Sequence, residues 1–382
     1  MKNTVSIFSF FSGAGFLDLG FESAGFSISF VNEVYQPFLD AYCFSRRMLG
    51  FEEPEYGYYL GSIENLLDDR HLSTLVEDAR RRYDAIGFIG GPPCPDFSVG
   101  GKNRGREGEN GRLSATYVEL ICQQRPDFFL FENVKGLLRT KKHRVFFEEL
   151  KEKLQDSGYY ITERLINSIE YGVPQDRERI IMIGFRHDFA GDMGISSQAE
   201  FRHVFPWAEH ILYKREDVFS YPWPQTDTFE EDSSRPEPQN VPVSLTVEYW
   251  FRQNDVYNHP NASQFFKPRE ALGRFLTIDE GDVSRKSFKR LHRWRYSPTA
   301  CYGNNEVHLH PYKARRLTVA EALAIQSVPK EFVLPPYMTL SDAFKTIGNG
   351  VPYLAALSIA KTLETFLEAS LGLVKQREKA AI

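Results

Sequence analysis

The 382-residue sequence predicts an α/β protein: a doubly wound, mostly parallel sheet carrying a smaller inserted domain. Three observations lead there. Short apolar, β-branched and aromatic runs alternate with helix-like segments from about residue 5 to 186. Each of several such runs ends in a glycine turn or a polar group, which is where open α/β sheets place their chemistry. The rhythm then stops over 187–312, resumes at Arg316, and ends in a long apolar helix from Tyr353 to about Leu367. The expected division is therefore 1–186 plus 341–382 for the sheet domain and 187–340 for the insertion, with 187–312 its irregular part.

The first strand, Val5 to Phe11, runs into Ser12-Gly13-Ala14-Gly15-Phe16 and a helix to about Ala24. Glycines there permit a tight turn and let backbone N–H groups approach a ligand. A second strand, Ser27–Asn32, ends at Glu33, 18 residues after Gly15, where a ribose would be held by its hydroxyls. Nicotinamide cofactors and S-adenosylmethionine both carry such a ribose, so this pair does not choose between them. Leu60-Gly61-Ser62-Ile63 is a further turn suited to an adenine ring, and 66–82 reads as a helix.

The strand Asp84–Gly90 leads into Gly91-Pro92-Pro93-Cys94-Pro95-Asp96. Two prolines fix φ and remove two donors, so the chain leaves the strand on a restricted path. Cys94 is read as a nucleophile. Residues 98–112 hold five glycines and four cations, the composition of a mobile loop closing over a polyanion. The strand Phe128–Val134 carries Glu132 at its end, and a buried carboxylate is costly unless paired or functional. Gln175-Asp176-Arg177-Glu178-Arg179 precedes the strand Ile180–Gly184, with Arg177 and Arg179 expected on one side.

Composition bounds the rest. Hydrophobic content of 42% is that of a globular protein, and four cysteines without a CxxC argue against a disulfide framework or a zinc cluster. No apolar run approaches 18 residues and the N-terminus lacks a cleavage signal, so neither membrane insertion nor export is expected; the expected compartment is the cytoplasm. A net charge of −5 leaves nucleic-acid binding to local clusters. Two stand out: six cations and no acid over Arg285–Arg295, read as the phosphate-facing surface, and Arg139, Lys141, Lys142 and Arg144. His259, His308 and His310 form no convincing metal pattern; they are read as structural, and no metal is expected.

Taken together, Phe11-Ser-Gly-Ala-Gly-Phe16, Gly90-Gly-Pro-Pro-Cys94, Glu132-Asn133-Val134, Gln175-x-Arg177-x-Arg179, Arg316-Leu317-Thr318-x-x-Glu321 with Gln326, and Gly348-Asn-Gly-Val-Pro352 resemble, in order, the motifs of the bacterial restriction–modification type of DNA cytosine-5 methyltransferase. The matches span about residues 5–360. Departures are Pro95-Asp96 after the cysteine, Ser62 in place of a frequent Asp, and Gly350 in place of a frequent Ala.

The resemblance implies a Rossmann-like class I methyltransferase domain with an inserted target-recognition domain. It implies S-adenosylmethionine held by Phe11, Gly13, Ala14, Gly15, Phe16, Leu17, Glu33, Val34, Ser62, Ile63, Pro93, Asn349 and Val351, with S-adenosylhomocysteine as product. Duplex DNA would be met by Ser98, Arg104, Arg106, Arg290, Arg293 and Thr299. A thiolate at Cys94 would add to C6 of a flipped cytosine, Glu132 would hold a proton at N3, Arg177 would bind O2 with Arg179 beside it, and a base would then release the C5 proton. The family further implies a monomer and a cognate restriction endonuclease as a genetic rather than physical partner. A tRNA cytosine-5 methyltransferase, a non-enzymatic DNA-binding relative and a nicotinamide dehydrogenase remain as alternatives. The large region 187–312 favours a DNA reader over the first, the retained Cys94, Glu132 and Arg177 speak against the second, and Pro92-Pro93-Cys94 with the paired arginines speaks against the third.

Overall fold

Period-two alternation of apolar side chains decides which residues face each layer of the protein. A computed structural model describes residues 5–93, 109–268, 272–285, 287–302 and 307–380. In chain order, β1 (Val5–Phe10), α1 (Phe16–Ser23), β2 (Ser27–Glu33), α2 (Gln36–Leu49), β3 (Tyr58–Leu60), α3 (Arg70–Arg82) and β4 (Ala85–Gly90) build the first half. After it come α4 (Glu109–Gln124), β5 (Phe128–Val134), α5 (Lys141–Asp156), β6 (Tyr159–Asn167), β7 (Gln175–Asp176) and β8 (Glu178–Arg186). The sheet has seven strands in the order β3-β2-β1-β4-β5-β8-β6. The pairings from β3 through β5 are parallel, and β8 is antiparallel to both its neighbours.

Val5 and Ile7 of β1, Phe128 and Leu130 of β5, and Ile181, Ile183 and Phe185 of β8 share one apolar layer. Phe8 and Phe10, Phe129 and Phe131, and Ile180 and Met182 share the other. The first layer is covered by α1, α2 and α13 (Tyr353–Ala380), the second by α3, α4 and α5. The chain winds outward from β1 in one direction and returns to start β4 on the other side, so the strand order reverses between β1 and β4. That crevice, at the carboxyl ends of the strands, is where such sheets bind ligands.

The remaining elements are short: α6 (His187–Asp192), α7 (Gln198–Val204), α8 (Arg215–Ser220), α9 (Val247–Gln253), α10 (Leu272–Thr277), the two-residue strands β9 (Lys289–Arg290), β10 (Ser297–Pro298) and β11 (His308–Leu309), then α11 (Val319–Ile325) and α12 (Leu340–Asn349). Phe189, Phe201 and Phe205 pack against Phe185 and Phe366, so α6 and α7 lie on the main sheet although they fall beyond residue 186. Helix α11 joins two clusters. Val319 and Leu323 meet Phe16, Leu19 and Ile347, while Ala320 and Ala324 meet Val247 and Phe251 of α9. Its start is the expected capping box, Thr318 accepting from the Glu321 amide and the Glu321 carboxylate from the Thr318 amide.

Three expectations shift. The helix read over 66–82 is a 3₁₀ turn at Ile63–Leu66 followed by α3, because Asp69 caps a fresh start at the His71 amide. The last four residues of the loop read over 98–112 belong to the first turn of α4. The final helix continues to Ala380 rather than ending at about Leu367. Among the described residues no helix is long and apolar enough to cross a membrane.

Candidate active site

At the crevice, the glycine turn after β1 is drawn tight. Phe11, Gly13 and Gly15 all have positive φ (56°, 57° and 79°), and the Gly15 amide closes the turn on Ser12 O at 2.8 Å. A left-handed Phe is uncommon; such strain persists where surrounding structure over-determines it, as at ligand sites. Here the Phe11 ring stands edge-on to Tyr117.

Glu33, at the end of β2, is brought against this turn. Its Oε2 accepts from the Gly13 amide at 2.8 Å, and Oε1 from the amides of Val34 and Tyr35 at 2.9 Å. Burial nevertheless leaves the carboxyl above its ordinary range, against these hydrogen bonds and the charge of Lys345. Oε1 has both lone pairs engaged, and Oε2, with a single amide, retains acceptor capacity for a hydroxyl. Val34 beside it is 64% exposed, an apolar side chain open to a flat ring. Ser62 is spent as a cap, accepting from the Glu64 amide, and Ile63 is buried below it. Gly turn, carboxylate and exposed apolar wall are the groups an adenosine-bearing cofactor requires. Ala14, Phe16, Leu17 and Val351 are buried around this turn, whereas Pro93 and Asn349 are exposed. A Cβ at Gly350 would stand 2.8 Å from the Phe16 ring, which is the physical reason this chain has glycine there.

Beneath the turn lies a network that the sequence reading missed. Arg46 of α2 is 3% exposed and donates to Ala14 O at 3.1 Å and to Gly15 O. Its Nε donates to Glu22 Oε2 at 3.0 Å, and the guanidinium lies over the Tyr42 ring. Burial pushes Glu22 up to about 7, against the Arg46 charge, and raises Asp18 as well. A signal was present: Arg46 continues the buried stripe Phe38, Leu39, Tyr42 and Ser45 of α2, where an apolar residue belongs.

Across the crevice, β4 ends at Gly90 and the described chain reaches Pro93, the residue before Cys94. Cys94, Ser98, Arg104 and Arg106 lie outside the described residues. The adjoining strand presents Glu132. In the β5–β8 ladder Val134 faces Arg179, so Glu132 is the diagonal neighbour of Arg179 on the same face of the sheet. Arg179 Nε lies 2.9 Å from Glu132 Oε1, with both side chains about nine-tenths buried (12% and 10% exposed). The two groups meet as an ion pair, with Arg179 the charged neighbour of that oxygen. A Cβ at Gly91 would come within 2.7 Å of Glu132 Oε2; glycine is what lets this carboxyl sit beside the chain leading to the cysteine. Asn133 Nδ2 donates to Pro92 O, tying the two strand ends. Burial raises the Glu132 carboxyl above its ordinary range, outweighing the charges of Arg179 and Arg177.

Arg177 does not occupy the place expected for it. It is wholly buried, with Nη1 donating to Ala300 O at 3.0 Å and Nη2 to Gly348 O and Gly350 O at 2.9 and 3.0 Å. Lying between β7 and β8, it spends both Nη groups on the returning chain, and among the described residues only Nε is left without a partner. It therefore clamps 300 and 348–350 together, and Arg179 is the arginine that accompanies Glu132. Gln175 adds to this clamp, accepting from the Ala300 amide and donating to Gln326 Oε1 and Ile325 O.

The expected DNA contacts are also corrected in part. Arg290 is buried and donates to the carbonyls of Ile278, His310, Lys313 and Phe275. Arg293 is buried in an ion pair with Glu280, its Nε 2.8 Å from Oε1. With so many protein acceptors satisfied, neither faces a phosphate. Thr299 is half-buried and donates to Asp176 O at 2.6 Å, a bond that holds β10 beside β7. His259, His308 and His310 are buried.

Comparison with known proteins now decides the family. The model of the C-5 cytosine-specific DNA methylases matches residues 5–365. The chain belongs to that family. The methylase is 57% identical to the type II methyltransferase M.NmeDI of Neisseria meningitidis serogroup C over 365 residues, covering 95% of this chain and 84% of that protein. It is 30% identical to M.NgoPII of Neisseria gonorrhoeae over 374 residues, covering 96% and 97% of the two chains. Among solved structures, Dnmt2 of S. pombe superposes with a TM-score of 0.55 at 12% identity, covering 95% of this chain and 98% of that one, which speaks for the fold alone. The protein is an enzyme of the DNA cytosine-5 methyltransferase class, and its sheet is that of a Rossmann-like class I methyltransferase.

Proposed function

We propose that the methylase flips a cytosine out of a specific duplex sequence and methylates it at C5 through a covalent bond from Cys94 to C6. The observation that carries this reading is the Glu132–Arg179 pair, held by Gly91 and Asn133 against the segment that leads to Cys94. S-adenosylmethionine, when bound at the turn 11–17 and Glu33, supplies an electrophilic methyl group. The protein's own part begins with the Cys94 thiolate, a soft nucleophile that adds to C6 and makes C5 electron-rich. Glu132, whose burial favours its protonated form, holds a proton at N3, and Arg179 rather than Arg177 meets O2, so charge growing on the ring is offset as it forms. Loss of the C5 proton then expels Cys94, whose electron pair returns to sulfur.

Residues 208–312 are assigned to target recognition, with α6 and α7 joined to the sheet domain and α11 shared. The enzyme works on DNA in a bacterial cytoplasm and acts as a monomer, since one reader and one pocket need no second copy. The type II designation of its relatives supports a protective role beside a cognate restriction endonuclease.

The test is transfer of labelled methyl from S-adenosylmethionine to methylation-free bacterial DNA and, in parallel, to unmodified bulk tRNA. Wild type and Cys94→Ala are compared, with bisulfite sequencing of the DNA. Label confined to cytosines in one short motif and lost in Cys94→Ala is the expected result; label on tRNA alone overturns the choice of substrate.

A further inference from the structure

We propose that Arg46 is a positioning residue for the cofactor: its guanidinium holds the turn at Gly13–Gly15 in the form that binds S-adenosylmethionine. The inference rests on the reading of that turn as the cofactor site.

Arg46 grips two consecutive carbonyls of the turn, Ala14 O and Gly15 O. A trans peptide is planar, and its C=O and N–H point in opposite directions. Fixing Gly15 O on Arg46 therefore sends the Phe16 N–H, the first amide of α1 and one without an intrahelical partner, to the other side of the turn. Fixing Ala14 O does the same for the Gly15 N–H, which closes on Ser12 O. The turn has no room to rearrange: a Cβ at Gly15 would lie 2.6 Å from both Arg46 terminal nitrogens and from the Tyr42 ring.

Arg46 is in turn fixed from every side. Glu22 takes Nε and lies 2.9 Å from Nη2, Ser45 Oγ lies 3.4 Å from Nη1, and the Tyr42 ring stacks beneath at 4.2 Å. Asp18, one turn before Glu22 on α1, is fully buried and is itself tied to β1 through Ser9 Oγ at 2.8 Å. One side chain from α2 thus links the turn to the first turns of α1, and Asp18 carries the connection on to β1. Two of its donors are spent on the backbone of the turn itself, so the position of the guanidinium and the direction of the amides facing the ligand are set together. Only a planar fork spans those two carbonyls and Glu22 at once, which an ammonium cannot do.

The experiment measures binding of S-adenosylmethionine and S-adenosylhomocysteine by calorimetry, with steady-state kinetics beside it. Arg46→Lys keeps the charge for Glu22 and Asp18 and loses the fork. It should raise both dissociation constants, and KM for S-adenosylmethionine, by roughly 10-fold, the loss expected for one charge-assisted hydrogen bond. At saturating cofactor kcat and KM for DNA should stay within about twofold of wild type. If Arg46→Lys is not folded by thermal melting, Arg46→Met combined with Glu22→Gln removes the charged pair together at nearly constant volume and should show the same split. Cofactor binding within about twofold of wild type in a folded variant overturns the proposal, as does a fall in kcat with unchanged binding. Failure of the wild type itself to bind either ligand would instead sink the cofactor reading of the turn.

Discussion

Two basic runs of similar composition have opposite fates in this molecule. Arg290 and Arg293, within Arg285–Arg295, are buried and serve as the interior framework of the inserted region. Arg139, Lys141, Lys142 and Arg144 are exposed around the start of α5, directly after the strand that presents Glu132. The difference follows from what each run is given to hold. The insertion has short helices and two-residue strands, and its local clusters are small, with only Phe275, Ile278 and Leu309 fully buried in one of them. Loops packed this way bring many backbone carbonyls inside, and arginine, with five donors, is the side chain that satisfies several at once. The sheet domain satisfies most of its carbonyls in ladders, and its buried arginines, Arg46 and Arg177, stand where the chain leaves the ladder at turns, while this second run stays outside. A charge run therefore announces cations without announcing which side of the surface they occupy.

That contrast can be broken most forcefully at Arg293. Arg293→Ala leaves Glu280, 1% exposed, with Arg235 as its remaining cation and should cost about 3 kcal/mol in urea unfolding, the low end for breaking a buried pair. A loss below about 1 kcal/mol there would show that the buried run is no framework. Arg290→Lys retains charge but not the fork, so at least one of four carbonyls loses its donor; about 1–3 kcal/mol is expected from the same titration. Next comes acid. Burial pushes Glu280 up, but the hydrogen bonds and charge of Arg293 outweigh it and hold the carboxyl below its ordinary value of 4.5. Its contribution is thus complete above pH 4.5 and lost as pH falls through the depressed folded value. Glu280→Gln should accordingly flatten part of the stability loss in that window, and an unchanged acid limb would count against the pairing. Smallest in stability is the exposed run. Lys141→Gln with Lys142→Gln should move unfolding by no more than about 0.5 kcal/mol. The same double change should weaken DNA binding uniformly across sequences and reduce the salt slope by roughly 0.9 for each phosphate no longer neutralised. An unaltered slope would leave this run a solvated face.

Much of the site was legible because its groups sit at strand ends, where period-two patterning and glycine turns leave marks within a few residues. The turn at 11–15, Glu33 and Glu132 needed only local reading and order along the chain. Arg177 and Arg179 did not separate so easily. They lie two apart in one short stretch and were expected on one side, but Arg177 is taken up by the carbonyls of 300, 348 and 350 while Arg179 pairs with Glu132. Those partners are 123 to 173 residues away along the chain, and no local pattern encodes them. Arg46 was missed for a related reason: its position on the buried stripe of α2 was visible, while the carbonyls waiting for it belonged to another element. The capping box at Thr318 and Glu321 was recovered in full, since both members lie within one turn.

By itself the sequence determined the alternation of strands and helices, the order of the motifs, the chemistry available at Cys94, Glu132 and Glu33, and the presence of an irregular insertion. Each of these depends on residue type and short spacing, which the chain states directly. Tertiary structure alone decided that α6 and α7 join the sheet, that Arg290 and Arg293 turn inward, that Arg179 rather than Arg177 keeps company with Glu132, and that Arg46 reaches the glycine turn. In every one of those cases the outcome hangs on which distant backbone carbonyls or apolar surfaces need a partner, and desolvation makes that need felt only once the chain has closed around them.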